Sequence, residues 1–312
     1  MTLLNLFSPA GVLVKPAAVR LAARRLKSYG FDVQIDAAAF ARHQRFAGDD
    51  DVRLAALHRV ATQAPGIALA TRGGYGLTRL LDRIDWKLVA RSIERGTRWV
   101  GHSDLTLLQL GLLARAKAGA APITWAGPLA ADDFGRAEGD GNSAGGVDEI
   151  TRDCFLEAMS GALEAVGFRT EAGFDALQLR GTLWGGNLSI VNSLLGTAYL
   201  PKVRGGVLFL EDVNEHPYRI ERGLLQLHQA GVLDAQKAVL LGQFSAWRKA
   251  PHDRGFSMKT VVEHVRALTK TPILTGLPFG HVQPKVTLPV GAKVRLLVDG
   301  RNVLIGWDHA AH

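Results

Sequence analysis

Residues 97–108 read TRWVGHSDLTLL, and this stretch decides the fold. Its apolar first half predicts a short buried strand, and a helix is predicted to begin near Thr106. The tight turn between them exposes the hydroxyl of Ser103, in the way a strand-to-helix turn presents a nucleophile. The N–H of Asp104 then points to where an oxyanion is stabilised. A serine in this place is also an ordinary helix N-cap, which is the commoner interpretation of the stretch taken alone.

The rest of the first half alternates strands with helices. Apolar and alternating runs predict strands at Leu3–Phe7, 31–35, 67–70 and 122–127, and the segments between them have apolar residues at helical spacing. One of these helices is expected over Leu80–Ile93. This alternation predicts an α/β protein with a parallel sheet and right-handed crossovers.

A glycine-rich loop follows the predicted strand 67–70. Residues 71–76 read TRGGYG, and three glycines in four positions let the backbone approach a ligand closely or adopt positive φ. The loop is not a P-loop, because the Gly-Lys-Ser/Thr ending is missing. A tight β-to-α turn is the alternative interpretation. Ligands collect at the carboxyl ends of strands in open α/β sheets, so this loop and the Ser103 turn are expected to share one crevice.

The second half of the chain has a different pattern. Residues 139–146, GDGNSAGG, predict a loop or linker, and a helix and then several short strands follow. We therefore divide the chain into an N-terminal α/β domain at 1–127, a linker region with a helix at 128–175, and a C-terminal β-rich domain at 176–312.

Composition narrows the class of protein. The chain of 312 residues is 47% hydrophobic and 21% charged, which is typical of a globular protein. Its net charge is +8, but Lys and Arg are scattered, so nucleic-acid binding is not favoured. A single cysteine, Cys154, excludes an internal disulfide and a cysteine-based zinc site. No signal peptide or membrane span is evident, and we expect a cytoplasmic protein without metal or membrane partner.

A serine nucleophile needs a base that is oriented by a carboxylate. Among ten histidines, His281 is the best placed, because its loop, LPFGHVQP at 277–284, is fixed by glycine and proline. The best carboxylate is Glu211, which ends a buried apolar strand; Glu215 is the second choice and Asp212 a weaker one. Unrelated surface and capping roles remain the alternative for all of these residues.

Five motifs together resemble the LD-carboxypeptidase family of serine peptidases. They are RGGYG at 72–76, GHSD at 101–104, GGNLS at 185–189, LEDVNEHPYRIER at 210–222, and PFGH at 278–281 continuing to TLPVG at 287–291. Each motif is weak alone, but their order and spacing are specific and cover most of the chain.

The resemblance implies a flavodoxin-like N-terminal domain, a smaller β-rich C-terminal domain and a catalytic triad of Ser103, Glu211 and His281. The oxyanion hole falls on the backbone N–H groups of Asp104 and Gly74. The implied activity removes the terminal D-alanine from muropeptide tetrapeptides, cleaving an L-to-D bond, during cytoplasmic peptidoglycan recycling. A homodimer without a cofactor is also implied.

Three residues are candidates for substrate binding. Arg72 is the cation expected to bind the terminal carboxylate, with packing in its turn as the alternative. Tyr75 lies in the same loop, and Asn187 is expected either to orient the far side of the cleft or to serve only its turn. The sequence departs from the commoner family pattern at His102, where an aromatic residue is frequent, and at 282–285, VQPK, where a smaller glycine-containing segment is common.

Two other functions fit the same sequence. A self-immunity peptidase that cleaves a peptide-nucleotide antibiotic uses the same triad. A tryptophan able to stack on a nucleobase would favour this function, and Trp184 is the candidate. A non-catalytic protein that binds muropeptides or sugars is the second alternative, and it is distinguished by binding without turnover.

Overall fold

The computed structural model describes residues 1–116, 121–137 and 146–308. Only Gly146 of the predicted linker 139–146 is therefore described, and residues 139–145 lie outside the described ranges. Two β-sheets organise the chain, one of six strands and one of seven.

The first sheet has the strand order β11-β5-β4-β3-β1-β2. Its strands are β1 (Leu3–Phe7), β2 (Asp32–Ile35), β3 (Ile67–Ala70), β4 (Arg98–Gly101), β5 (Thr124–Ala126) and β11 (Leu288–Val290). Strands β1 to β5 are parallel, and β11 pairs antiparallel with β5. The order 2-1-3-4-5 is that of flavodoxin-like sheets, so the predicted N-terminal fold is confirmed.

Four α-helices connect the strands of this sheet. They are α1 (Pro16–Ser28), α2 (Asp50–Gln63), α3 (Trp86–Glu94) and α4 (Thr106–Ala114). The single helix predicted over Leu80–Ile93 is wrong, because a 3₁₀ helix ends at Arg83 and Asp85 then caps α3 by accepting the N–H of Leu88. A side-chain cap of this kind satisfies an orphan donor and fixes where a helix begins.

The second sheet has the order β10-β9-β8-β7-β12-β13-β6. Its strands are β6 (Ala165–Arg169), β7 (Gln178–Asn187), β8 (Val207–Val213), β9 (Ala238–Ser245), β10 (Ile273–Leu274), β12 (Lys293–Asp299) and β13 (Asn302–Trp307). Strands β7 to β10 are parallel, and β12, β13 and β6 complete the sheet in antiparallel fashion. The helices of this half are α5 (Glu149–Ser160), α6 (Leu188–Ser193), α7 (Pro217–Gln229) and α8 (Met258–Leu268).

Sheet membership crosses the predicted domain boundaries in two places. Strand β11 comes from the C-terminal third but joins the first sheet, whereas β6, from the predicted linker region, forms an edge of the second sheet. The division at 127 and 175 remains a prediction. The crossing of β11 ties the segment that follows His281 directly to the N-terminal sheet.

Helix α4 is buried along almost its whole length. Every residue from Thr106 to Leu113 is buried, as expected for a helix that is apolar on nearly all sides. A Cβ on Gly111 would lie 2.4 Å from the ring of Trp86, so that ring packs directly on the helix backbone. The helix is a rigid support for the turn that precedes it. No helix in the described part of the chain is long and apolar enough to span a bilayer.

Candidate active site

Ser103 lies at the carboxyl end of β4 in a strained conformation. Its φ is +62°, in the left-handed region that non-glycine residues seldom occupy. Such strain persists only where the surroundings enforce it, and it is frequent at functional sites. A Cβ built on Gly73 would lie 2.6 Å from the Ser103 Oγ and 3.5 Å from the Asp104 nitrogen. The glycine loop therefore lies directly on this turn, and the two predicted turns do share one crevice.

The carboxylate of Asp104 holds the glycine loop to the serine turn. Its Oδ2 accepts the backbone N–H of Leu77 at 2.7 Å, across the space between the two loops. Gly74, with φ +86°, completes the loop, and the N–H of Gly11 fixes the Gly73 carbonyl at 3.1 Å. Burial raises the pKa of Asp104 to about 7, and the hydrogen bond from Leu77 only partly opposes this effect.

Glu211 and His281 form a hydrogen-bonded pair. The distance between His281 Nδ1 and Glu211 Oε2 is 2.8 Å. The Glu211 side chain is fully buried, while that of His281 is 22% exposed, so the imidazole keeps part of its surface open to solvent. A carboxylate on Nδ1 fixes the tautomer, because Nδ1 must then carry the proton and Nε2 is left with a lone pair.

Glu211, not Glu215, contacts His281. Glu211 is still within strand β8, whereas Asn214 has φ +61° and turns the chain away before Glu215. Glu215 instead faces Arg219, with 3.5 Å between the charged groups. The choice that the sequence left open is therefore decided by geometry in favour of Glu211 as the partner of His281.

Asn187 donates hydrogen bonds to two carboxylates near the carboxyl end of β8 in the second sheet. Because β7 and β8 are parallel and in register, Asn187 lies beside Glu211. Its Nδ2 donates to Glu211 Oε1 at 3.2 Å and to Asp212 Oδ1 at 2.9 Å, and its Oδ1 caps helix α6. Asn187 is 5% exposed, so its observed contacts are with protein groups, and substrate binding by this residue remains a prediction. Asp212 in turn accepts from Ser189 rather than from a histidine.

Arg72, the residue before Gly73 of the glycine loop, lines a cavity of about 300 Å³. Its Nη1 donates to the Val12 carbonyl at 2.6 Å, which fixes the guanidinium. Asp132 lies on the same cavity, and although it keeps solvent contact, desolvation in this concave wall raises the pKa of its carboxyl. Tyr75 is 47% exposed and packs on Phe46, so its predicted contact with substrate stays a prediction.

The structure adds a buried network that sequence reasoning missed. Lys285 lies between His102 and Asp133 and contacts both, His102 packs on His281, and the three side chains of this network are almost completely buried. The signal was present, since His102 and the segment 282–285 are the two departures from the family pattern. Their contact depends on tertiary structure and could not be deduced from either position alone.

Trp184 does not support the antibiotic-cleaving alternative. Its ring is completely buried and its Nε1 donates to Gln236 Oε1 at 3.0 Å, so the ring offers no face to a nucleobase. That part of the sequence interpretation is wrong, because Trp184 points from β7 into the core. Among the described residues, no cluster of three His, Cys, Asp or Glu side chains is arranged to hold a metal ion.

The site thus combines a strained serine turn under a glycine loop with a carboxylate–imidazole pair, and the ring of His102, the residue before that serine, packs on the imidazole of His281. Comparison with known proteins identifies the class. Residues 4–121 match the LD-carboxypeptidase N-terminal domain, and residues 180–296 match the LD-carboxypeptidase C-terminal domain. The chain belongs to the LD-carboxypeptidase family.

Three relatives illustrate the range of this family. A probable murein peptide carboxypeptidase of Bacillus subtilis is 30% identical over 284 residues, which cover 90% of this chain and 84% of the relative. The crystal structure of a muramoyltetrapeptide carboxypeptidase from Oxalobacter formigenes is 36% identical, with a TM-score of 0.85 over 99% of this chain and 100% of that one. The microcin C7 self-immunity protein MccF of Escherichia coli is 25% identical over 265 residues, covering 76% of this chain and 72% of its own length.

Proposed function

We propose that this protein is a serine carboxypeptidase that releases the terminal D-alanine from muropeptide tetrapeptides. The observation that carries the proposal is the 2.8 Å contact between His281 Nδ1 and the fully buried Glu211, at the crevice where Ser103 is held with φ +62°. The names of the Bacillus and Oxalobacter relatives support murein peptides as the substrate class.

The proposed chemistry uses His281 as a proton carrier. Nε2 of His281 takes the hydroxyl proton as Ser103 Oγ bonds to the carbonyl carbon that precedes D-alanine. The same proton is then delivered to the amine nitrogen, the C–N bond breaks and D-alanine leaves. Water deprotonated by His281 next cleaves the acyl-enzyme and regenerates the serine. Glu211 keeps the proton on Nδ1 and stabilises the imidazolium that forms.

The oxyanion is assigned to the backbone N–H groups of Asp104 and Gly74. A negative oxygen is stabilised by donors that are already in place before the reaction begins. The hydrogen bond from Leu77 to the Asp104 carboxylate keeps the two loops together, and the positive φ of Gly74 orients its peptide. These contacts preorganise the hole rather than taking part in bond making.

Arg72 is proposed to bind the terminal carboxylate of the substrate. The guanidinium lies on the cavity next to the glycine loop, which is where the residue beyond the scissile bond would extend. Arg72→Met is expected to raise KM about 10-fold to 100-fold for a free-acid substrate, from the loss of a charge-assisted hydrogen bond. A substrate with a C-terminal amide is the control, because its KM should respond far less. An equal effect on both substrates would contradict the assignment.

The decisive experiment measures free D-alanine by mass after incubation with a purified muropeptide tetrapeptide. The protein should release it, and Ser103→Ala should abolish release without changing the circular dichroism spectrum. Ser28→Ala, which removes an exposed hydroxyl on α1, is the matched control and should remain active. Turnover by Ser103→Ala would end the serine mechanism.

The non-catalytic alternative makes a different prediction for the same samples. A binding protein would retain the tetrapeptide without D-alanine release and would leave Ser103 unlabelled by a fluorophosphonate probe. We further propose a cytoplasmic homodimer, on the basis of the family resemblance. Sedimentation velocity tests the dimer, and fractionation of cells that express the protein tests its location.

A further inference from the structure

Three buried polar side chains form a network outside the proposed triad. The Lys285 Nζ lies 3.0 Å from both carboxylate oxygens of Asp133, and each of the two side chains is at most 3% exposed. Asp133 Oδ2 also accepts the N–H of Leu129, and the N–H of Lys285 donates to Thr151 Oγ1. A buried ion pair with these further hydrogen bonds has its geometry fixed on both sides.

His102 is held in one tautomer at the end of this network. Its Nδ1 lies 2.8 Å from the Gly127 carbonyl oxygen, which accepts only, so Nδ1 carries the proton. Nε2 faces the Lys285 ammonium at 3.5 Å, which is a long contact between a lone pair and a positive charge. Burial and then the charge of Lys285 hold the pKa of His102 well below its ordinary value, while the bond to Gly127 opposes this shift.

The ring of His102 packs against the ring of His281. The two centroids are 4.8 Å apart and the planes are inclined by 73°. Phe279 packs on His102 as well, with 6.0 Å between the centroids. His102 immediately precedes Ser103, so one side chain of the serine turn forms a wall for the imidazole that is proposed to serve as base.

We propose that Lys285 and Asp133 are positioning residues, which keep His102 as an uncharged, immobile ring against which His281 is held. This inference rests on the proposed function of Ser103, Glu211 and His281. A charged His102 would repel the imidazolium that forms on His281 during the reaction, and a rotated one would leave the base unsupported. The ammonium of Lys285 opposes both, because its charge disfavours a second positive charge on the ring and its contact with Nε2 at 3.5 Å holds the ring in one orientation.

The other charges near the two rings are consistent with this arrangement. Glu211 neutralises the far side of His281, and Asp133 balances Lys285. Asp132 lines the cavity together with Arg72, and its carboxylate interacts electrostatically with both Lys285 and His281. Among the described residues, Lys285 is thus the cation that faces His102 directly, and its partner Asp133 makes no contact with either ring.

The test replaces the ion pair by a neutral pair of similar shape, Lys285→Met with Asp133→Asn. Removing one partner alone would leave the other charge buried and unpaired, whereas the double change avoids this and keeps an acceptor for Leu129. Lys259→Met is the matched control, because that lysine is 82% exposed on α8. The readouts are kcat and KM between about pH 5.5 and pH 8, and the ¹⁵N shifts of the His102 ring, which report its tautomer and charge.

Without Lys285 the pKa of His102 should rise, but it should stay below its ordinary value because burial, the larger cause of the lowering, remains. The kcat of the double variant relative to the wild type should therefore fall progressively from about pH 8 to about pH 5.5, and the ¹⁵N shifts should show His102 taking up its proton at a higher pH than in the wild type. Adding His102→Phe removes the ionisable ring and should abolish this pH-dependent part. The control should match the wild type at each pH.

Two results would overturn the inference. A loss of kcat that is equal at all pH values and unchanged by His102→Phe would mean that the pair is only structural. An ordinary pKa for His102 in the wild-type protein would also overturn the inference. This titration needs only the wild-type protein, so it can be made even if the double variant does not fold. Failure of the proposed function is recognised separately, because the wild type would then release no D-alanine while the ¹⁵N shifts still report the state of His102.

Discussion

Replacement of Asp104 by Asn should weaken the dependence of stability on pH. The Asp104 side chain is 2% exposed, and its burial raises the pKa from 3.8 to about 7. Asn keeps the shape and an acceptor for the N–H of Leu77, so the substitution removes the ionisation and little else. The proposed oxyanion hole should therefore be retained in this variant.

The sign and size of the effect follow from the linkage of protonation to folding. Between about pH 4 and pH 7 the folded protein holds a proton on Asp104 that the unfolded chain has lost, so the free energy of unfolding falls as the pH rises. The shift from 3.8 to about 7 is about three pKa units, and at 1.36 kcal/mol per unit the group removes about 4 kcal/mol across this window. The stabilising effect of the protonated group is fully present only below about pH 4 and is gone above about pH 7.

Urea denaturation of both proteins at about pH 4.5 and about pH 8 measures the effect. The stability of Asp104→Asn relative to the wild type should rise by about 3 kcal/mol between these values, since part of the full effect is already lost at about pH 4.5. Asp299→Asn makes the same charge change at an exposed carboxyl and should show no such rise. A stability difference between Asp104→Asn and the wild type that stays constant with pH would refute the reasoning.

Three further substitutions test other contacts. Glu211→Gln should lower kcat about 10⁴-fold with little change in KM, because the amide favours the wrong tautomer of the His281 imidazole. Steady-state kinetics measure this, and a loss of kcat below about tenfold would contradict the proposed role of Glu211 in orienting His281. Gly73→Ala places a Cβ 2.6 Å from the oxygen of the proposed nucleophile, so kcat should fall at least about 100-fold in a folded protein. Gly185 has φ +131°, and in Gly185→Ala the new Cβ would lie 2.0 Å from a carbonyl oxygen of the neighbouring strand. The Tm of this variant should be well below that of Gly173→Ala, since Gly173 also has a positive φ but no atom within 4 Å of the added Cβ.

The first sheet was predictable because its signals are local. Each strand from β1 to β5 is a short apolar run between helical patterns, and parallel order follows from that alternation. Strand β11 has no comparable signal, since it is three residues long and contains Pro289. Proline is tolerated there because β11 is an edge strand. Pairing across more than 150 residues of sequence is decided by tertiary packing, which a local pattern does not contain.

The residue types of the candidate site could be predicted from the sequence, but the contacts between these residues could not. Glu211 and Glu215 both come after the apolar run 206–210, and the left-handed turn that separates their directions is at Asn214, a residue type that favours this conformation without requiring it. The interpretation of Trp184 was wrong for a related reason. Successive side chains of a strand point to opposite faces of the sheet, and the alternation along β7 places the ring of Trp184 in the core.

The proposed nucleophile and base come from different halves of the chain, so their register depends on contacts that cross between the two sheets. One such contact is at Thr106, where α4 begins directly after the serine turn. Its Oγ1 accepts the N–H of Asn187 at 3.2 Å, and a Cβ on Gly186 would lie 2.5 Å from the same oxygen. Asn187 in turn donates to Glu211, which holds His281.

A second crossing lies on the opposite side of His281. Lys285, four residues further along the chain, is bound to Asp133 of the first half, and β11 then enters the first sheet. The imidazole is thus fixed from Glu211 on one side and from the loop that follows it on the other. Relative movement of the two halves would have to break both connections together, and each contains buried hydrogen bonds whose loss is costly. Preorganisation of the crevice is therefore a property of the interface between the sheets, and not of either sheet alone.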